Sequence, residues 1–190
     1  MHLEIIIVST REGRSGDHVA RWFEAIARAH DAFTVEVVDL AEVDLPLFDE
    51  PAHPRLRQYR GDHTKAWSVT VARADAFVFV TPEYNHGAPP SLLNALDYLV
   101  HEWAYKPVGF VSYGGVAGGT RALQMAKLVV VALRMMPMLE AVNIPFFATH
   151  MNKETGVFEP PPAQADAAKA MLTEMARWAK ALAVLRTPQV

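Results

Sequence analysis

Residues 76–98 read AFVFVTPEYNHGAPPSLLNALDY, and this stretch decides the fold. Its first five residues are apolar and rich in β-branched and aromatic side chains, which indicates a buried strand. Beyond the turn, Leu92, Leu96, Leu99 and Trp103 recur at helical spacing and predict a helix over 89–103. A polar turn between a buried strand and a helix is a frequent ligand site in α/β proteins.

The same alternation of strand and helix continues along the whole chain. We predict strands over 3–8, 34–38, 76–81, 108–112 and 142–149. We predict helices over 17–30, 62–74, 89–103, 119–135 and 163–185. Strands that alternate with helices indicate an α/β fold, with a parallel sheet covered by helices on both faces. We therefore expect one domain, 1–190, with a five-stranded sheet in the order 2-1-3-4-5.

Composition narrows the classes of protein that need consideration. The 190 residues carry a net charge of -3 without a basic stripe, which weighs against nucleic acid and membrane surfaces as partners. The chain contains no cysteine, so redox chemistry would need a bound cofactor. No secretory signal or membrane span is recognisable, and we expect a cytoplasmic protein. The histidines are scattered, and we expect no metal site.

The loop after the first predicted strand has the composition of an anion site. It places Ser9, Arg11, Arg14, Ser15 and Gly16 directly before a helix. Hydroxyls, guanidinium groups and the N–H groups of a helix start favour a phosphate monoester. The loop is neither a Walker loop nor a dinucleotide fingerprint. The alternative is an ordinary helix start capped by an aspartate, with two solvated arginines.

A glycine-rich loop follows the fourth predicted strand. Residues 112–119 read SYGGVAGG, and the loop begins with Ser112, Tyr113, Gly114 and Gly115. Because glycine has no side chain, the backbone of this loop could approach a ligand closely. We predict N–H donors facing a ligand there, and Tyr113 either stacks on that ligand or packs internally. A flexible connector is the alternative.

The third loop is the turn Pro82, Glu83, Tyr84 and Asn85, which we predict to line a flat heteroaromatic ring. In a 2-1-3-4-5 sheet the three loops meet at the carboxyl ends of the strands. A phosphate cradle, a ring wall and backbone donors together fit FMN, whose flavin carries the redox chemistry itself. We therefore assign no catalytic side chain, and His86 is interpreted as a pocket wall.

In their order and spacing, these three motifs resemble those of the NADPH-dependent FMN reductase family, which includes quinone, azo and chromate reductases. The resemblance covers nearly the whole chain and implies a flavodoxin-like three-layer sandwich. It also implies that Ser9, Arg11 and the positions through Gly16 hold the phosphate, that 82–85 line the isoalloxazine and that 112–115 contact its pyrimidine edge. The first loop departs from the family pattern at Val8, Arg14 and Gly16, where glycine, serine and asparagine are frequent.

The resemblance further implies an enzyme that uses FMN as cofactor and NADPH or NADH as hydride donor. The expected reaction is ping-pong reduction of a small acceptor such as a quinone, an azo compound, free flavin or a metal oxyanion. Family members form homodimers, sometimes paired into homotetramers. The alternative is a flavodoxin-like carrier or redox sensor without NAD(P)H turnover. The long segment 39–61 is expected to rim the site or a subunit interface.

Overall fold

In a computed structural model, which describes residues 1–186, the chain forms a twisted sheet with helices on both faces. The strands are β1 (His2–Ile7), β2 (Thr34–Asp39), β3 (Ala76–Pro82), β4 (Pro107–Tyr113), β5 (Met136–Pro137) and β6 (Val142–Ile144). The helices are α1 (Gly16–Arg28), α2 (Leu40–Val43), α3 (Asp62–Arg73), α4 (Pro90–Asp97), α5 (Thr120–Ala132) and α6 (Pro162–Arg186). Short 3₁₀ helices span Pro54–Leu56 and Phe147–His150.

The strand order is β2-β1-β3-β4-β5, every pairing is parallel, and β6 also pairs with β4. The predicted α/β class and the 2-1-3-4-5 order are therefore confirmed, with one additional strand. The prediction of a single domain stays a prediction, and its last residues, 187–190, lie outside the described residues.

Alternate residues of the central strands supply two separate cores, because neighbouring side chains of a strand point to opposite faces. Ile6, Phe77 and Phe79 pack on the face that also contains Trp67 of α3 and Leu96 of α4. The opposite face holds the intervening strand residues together with apolar residues of α1 and α6, among them Ile5, Val78, Val80, Phe23 and Met171. Both faces of the sheet are buried, as its near-continuous apolar strands require.

The helix predicted over 89–103 is shorter than expected, since α4 ends at Asp97. Tyr98 and Leu99 are adjacent in sequence and both fully buried, and the chain turns there so that both enter the core. Trp103 is also fully buried but belongs to a turn. The apolar spacing of the sequence was thus real, although only its first part was helical.

The strand predicted over 142–149 is also corrected. Two short segments, β5 and β6, pair with successive parts of β4. After Ile144 the ladder ends at Pro145, which has no N–H to donate. Phe146 then takes a left-handed conformation, with φ of 47°, and opens a 3₁₀ helix.

Within residues 1–186, no helix is long and apolar enough to cross a membrane.

Candidate functional site

Three loops meet at the carboxyl ends of β1, β3 and β4, around a cleft of about 170 Å³. The cleft lies at the edge where a doubly wound sheet binds ligands. Its lining comprises Arg11, Arg14, Ser15, Pro82, Glu83, Tyr84, Tyr113, Gly114, Gly115 and Phe147. Nine of these ten residues belong to the set predicted from sequence, so the fold brings most of the predicted site together.

Helix α1 begins unusually close to the strand ends. A Cβ on Gly16 would lie 2.5 Å from Ser9 Oγ and 3.0 Å from the Tyr113 hydroxyl, so only glycine fits there without displacement. Ser15 is the N-cap residue, but its side chain makes no capping hydrogen bond. The aspartate expected to cap the helix, Asp17, instead lies in the first turn and pairs with Arg21. The helix start therefore offers backbone N–H groups and the positive end of a helix dipole beside the cleft.

The two arginines of the first loop are not equivalent. The guanidinium of Arg14 is paired with the carboxylate of Asp39, at the end of β2. Arg11 is exposed, and within residues 1–186 its guanidinium donates only to the neighbouring Glu12 carbonyl, at 3.3 Å. Among these residues Arg11 has no carboxylate partner and is available to an anion, whereas Arg14 also ties the loop to the sheet.

The turn after β3 is a two-residue hairpin. Tyr84 and Gly87 exchange two backbone hydrogen bonds, of 3.1 and 2.9 Å. The residues between them, Asn85 and His86, have φ of 49° and 67°, the positive values that a type I′ turn requires. Both are exposed, and neither lines the cleft. The predicted ring wall is therefore formed by Pro82, Glu83 and Tyr84, and Asn85 instead shapes the turn.

Glu83 connects this turn to the start of α5. Its side chain is 8% exposed and accepts hydrogen bonds from the backbone N–H of Arg121, at 3.0 Å, and from Arg121 Nε, at 2.6 Å. Burial alone would raise the pKa of Glu83, but the bonds from Arg121 outweigh it and hold the pKa below its ordinary value. The carboxylate is thus ionised and fully engaged as a structural link, which makes it a poor general base.

Hydrogen bonds of buried side chains fix the glycine-rich loop. Ser112 is fully buried, and its Oγ lies 2.8 Å from both the Gly118 carbonyl and Asn143 Oδ1. Tyr113 is 3% exposed; its hydroxyl donates to Ser9 Oγ, at 3.2 Å, and burial raises its pKa to about 12. Ser9, Ser112 and Gly16 therefore support the cleft without lining it. Tyr113 closes the floor of the cleft rather than standing free to stack.

Phe147 lines the cleft but is not among the site residues that the sequence predicts, because its pattern indicates a strand over 142–149. Its ring contacts that of Tyr113 edge-on, at 5.2 Å between centroids. The backbone N–H of Phe147 donates to the Gly114 carbonyl, at 3.2 Å, so this segment also fixes the glycine-rich loop. Phe147 supplies an apolar wall at the open side of the cleft.

The segment 39–61 is anchored to α4 by side-chain hydrogen bonds. Asn94 Nδ2 donates to the Pro46 carbonyl, at 2.7 Å, and Asn94 Oδ1 accepts from the Phe48 N–H, at 2.9 Å. The Tyr98 hydroxyl lies 3.0 Å from Asp49 Oδ1. This segment borders a second cleft, of about 400 Å³, lined among others by Thr10 and Leu47.

A larger cavity, of about 1060 Å³, lies between α1, α6 and residues 155–158. Its walls are chiefly apolar and include Trp22 and Phe158. Size alone does not make it the functional site, because its lining includes no residue of the loops that follow β1, β3 and β4. The smaller cleft between the three loops is the candidate site on chemical grounds.

Fold and site together define a doubly wound α/β protein with a mononucleotide-type cleft. Comparison with known proteins gives the family directly: the NADPH-dependent FMN reductase family matches residues 1–149. The NAD(P)H-dependent FMN reductase of Schizosaccharomyces pombe is 41% identical over 144 residues, which cover 74% of this chain and 72% of that protein. A quinone reductase of Escherichia coli K12 is 34% identical over 141 residues, 70% of this chain and 71% of that protein.

Among solved structures, FerB of Paracoccus denitrificans, a flavoenzyme NAD(P)H:(acceptor) oxidoreductase, superposes with a TM-score of 0.72. It shares 19% sequence identity, and the match covers 95% of this chain and 97% of that chain, which supports the flavodoxin-like fold. The chain belongs to the NADPH-dependent FMN reductase family. It is accordingly an oxidoreductase with FMN as cofactor and NAD(P)H as donor.

The residues present fit that cofactor. The uncapped start of α1 suits a phosphate, and the space at Gly16 that a Cβ would fill lets the helix approach the strand ends. The turn after β3 and the glycine-rich loop lie side by side on the cleft, since Pro82 pairs with Tyr113 at the strand ends. Glu83 and Tyr113 are both committed to internal hydrogen bonds, so neither side chain is free to act as a nucleophile or a base.

The bridge between Glu83 and Arg121 can be tested by stability. Replacing Arg121 with alanine leaves a nearly buried carboxylate without its guanidinium, and we expect the free energy of unfolding to fall by about 1 kcal/mol. The control is Arg177→Ala, which removes an exposed pair with Glu174, and its expected effect is about 0.5 kcal/mol or less. Urea unfolding of both variants gives the comparison. Equal losses would show that Arg121 is only a surface charge.

Proposed function

We propose that the protein catalyses ping-pong transfer of a hydride from NAD(P)H to a small electron acceptor, with FMN held between the three loops. The observation that carries this proposal is the convergence of an uncapped helix start, a rigid hairpin and a glycine-rich loop on one cleft. When bound, the flavin supplies the acceptance and release of the hydride. The protein groups then bind the flavin, orient it and polarise its ring.

In this proposal each loop has one task. The N–H groups at the start of α1, with Arg11, hold the phosphate. Pro82 and Tyr84 lie along the ring, while the backbone N–H of Gly115 faces its pyrimidine edge. The Gly114 N–H is donated to the Ile144 carbonyl, at 3.2 Å, and holds the loop in place. Donors at that edge stabilise the negative charge that develops during reduction. The floor formed by Tyr113 blocks one side of the ring, so donor and acceptor use the remaining face in turn.

A quinone is the acceptor class that we favour. The cleft is open and bordered by the ring of Phe147, which suits a flat apolar acceptor, and a relative that is 34% identical carries the name quinone reductase. Azo compounds, free flavin and metal oxyanions are the other acceptors that the proposal covers.

The rival function is a flavin-containing electron carrier or redox sensor without NAD(P)H turnover. Carriers of this fold usually have strongly acidic surfaces, whereas this chain has a net charge of only -3 and arginines in the first loop. A cationic first loop also suits the approach of a phosphorylated nucleotide. These charges favour the enzyme.

Anaerobic mixing separates the two functions. Protein reconstituted with FMN should absorb near ~450 nm and lose that absorbance within seconds when one equivalent of NADPH is added. Addition of a benzoquinone should then restore the absorbance in a second, separate phase. The same experiment with NADH ranks the two donors. Persistent absorbance with both nucleotides would contradict the reductase and support the carrier.

The proposal includes a homodimer in which a second copy lies beside the flavin. Met125, Leu128 and Val131 form an exposed apolar stripe on α5, and Leu128 is 77% exposed. At one end of this stripe, the sulfur of Met125 accepts a hydrogen bond from the Ala88 N–H, directly after the hairpin. A partner that covers the stripe would therefore border the cleft. Pairing of such dimers into tetramers and the cytoplasmic location remain predictions from sequence.

Light scattering coupled to gel filtration tests this interface. Leu128→Asp should convert the dimer to a monomer, because a charge in the buried centre of an apolar interface is strongly unfavourable. Val184→Asp is the matched control: it adds the same charge at a similarly exposed position on α6 and should leave the dimer intact. A wild-type monomer, or a dimer that tolerates Leu128→Asp, would refute the interface.

A further inference from the structure

The end of the sheet opposite the flavin cleft carries a cluster of ligating side chains that the redox function does not use. His2 and Glu4 lie on the same face of β1, and the strand register places Glu36 of β2 directly opposite Glu4. One ligand atom from each of these three side chains lies within 4.8 Å of the other two. Sequence spacing did not predict a metal site, because Glu36 is brought to the cluster only by strand pairing.

Like charges directly opposite each other on paired strands are unfavourable unless something offsets them. Arg73 of α3 supplies part of the offset, since its guanidinium contacts Oε1 of both Glu4 and Glu36. Burial nevertheless raises the pKa of Glu4 to about 7, which reflects the cost of a negative charge at this position.

One ligand atom of the cluster lacks a partner within residues 1–186. Glu4 is fully buried and its Oε2 atom makes no hydrogen bond, while the buried His2 Nε2 lies beside Glu36 Oε2. An unpaired carboxylate oxygen in the protein interior is costly, and its persistence needs a physical reason. A cation bound between these atoms would supply one.

The arrangement of His2 fits ligation through Nε2. Its other ring nitrogen, Nδ1, lies 3.5 Å from the Thr34 hydroxyl, which itself donates to the Met1 carbonyl, at 3.3 Å. With the proton on Nδ1, Nε2 presents a lone pair to the cluster, as in metal sites whose histidine is oriented by an outer partner. His2 Nε2 and Glu36 Oε2 are 3.2 Å apart. Two ligands of a tetrahedral zinc ion are separated by about 3.4 Å.

We propose that His2, Glu4 and Glu36 bind a divalent zinc-type cation, with Arg73 as the partner that holds the two carboxylates in place. One imidazole and two carboxylates favour zinc over magnesium, which prefers an all-oxygen shell. Glu36 is 38% exposed and gives the ion a path from solvent. Glu4 precedes Ser9 by five residues of extended chain, about 16 Å. The site is therefore structural and separate from the flavin.

The test is a zinc titration of the FMN-loaded protein without a histidine tag, after treatment with EDTA and buffer exchange, at pH 7.5. Isothermal titration calorimetry with ZnCl2 should give one site per chain with a dissociation constant below about 10 μM. Zinc at a hundredfold excess over that constant should raise the melting temperature by at least about 4 °C. The same titration with MgCl2 should give no saturable binding.

Two variants remove ligands, and one serves as the control. Glu36→Gln changes a partly exposed residue and should weaken zinc binding at least tenfold without loss of folding, as should His2→Gln. His63→Gln is the control, because His63 lies 3.1 Å from Asp49 in an exposed pair outside the cluster. It should bind zinc as the wild type does. Absence of saturable binding by the wild type, or unchanged affinity in Glu36→Gln and His2→Gln, would overturn the proposal.

Discussion

The parallel register of β1, β3 and β4 is the constraint on which the rest of this structure depends. Because these strands run in the same direction and pair residue by residue, their carboxyl ends stop at one edge, and the loops that follow them must converge. The approach of α1 to this edge is possible only because residue 16 is glycine. The cleft thus depends on the direction of the strands and on glycine at position 16.

The polar groups around the cleft divide into those that face it and those that hold it in shape. Asp39, Ser112 and Arg121 lie outside the lining and act on the loops through Arg14, Gly118 and Glu83. Polar residues can therefore be essential to the proposed site without touching the flavin. Preorganised backbone donors stabilise developing charge only when their loops do not move in response to it.

The fold was largely predictable, because its signals are local. Apolar runs such as 76–80 and the helical spacing of Leu92 and Leu96 each report on one element, and alternation of strands and helices specifies a parallel sheet. The errors in the predicted helix and strand ends lie where tertiary packing determines the local structure. Leu99 and Trp103 are buried by turns rather than by a helix, and Pro145 ends a strand whose apolar pattern continues beyond it.

The site was predictable as a set of loops but less so as a set of contacts. Glycines and prolines at strand ends identify the loops, and nine of the lining residues were among those predicted. The residues that face the cleft are selected by pairings between distant segments, such as Tyr113 with Ser9 or Arg14 with Asp39. Such pairings cannot be read from a single sequence. The ligand atoms of His2, Glu4 and Glu36 meet through strand register for the same reason.

We propose that the uncapped start of α1 holds the phosphate of FMN, and the affinities of FMN and riboflavin test this role most directly. Quenching of flavin fluorescence gives both dissociation constants for the wild type and for Gly16→Ala. The wild type should bind FMN at least about 100-fold more tightly than riboflavin, a difference of about 2.7 kcal/mol, and Gly16→Ala should lose most of this preference. Equal affinities for the two flavins in the wild type would contradict it.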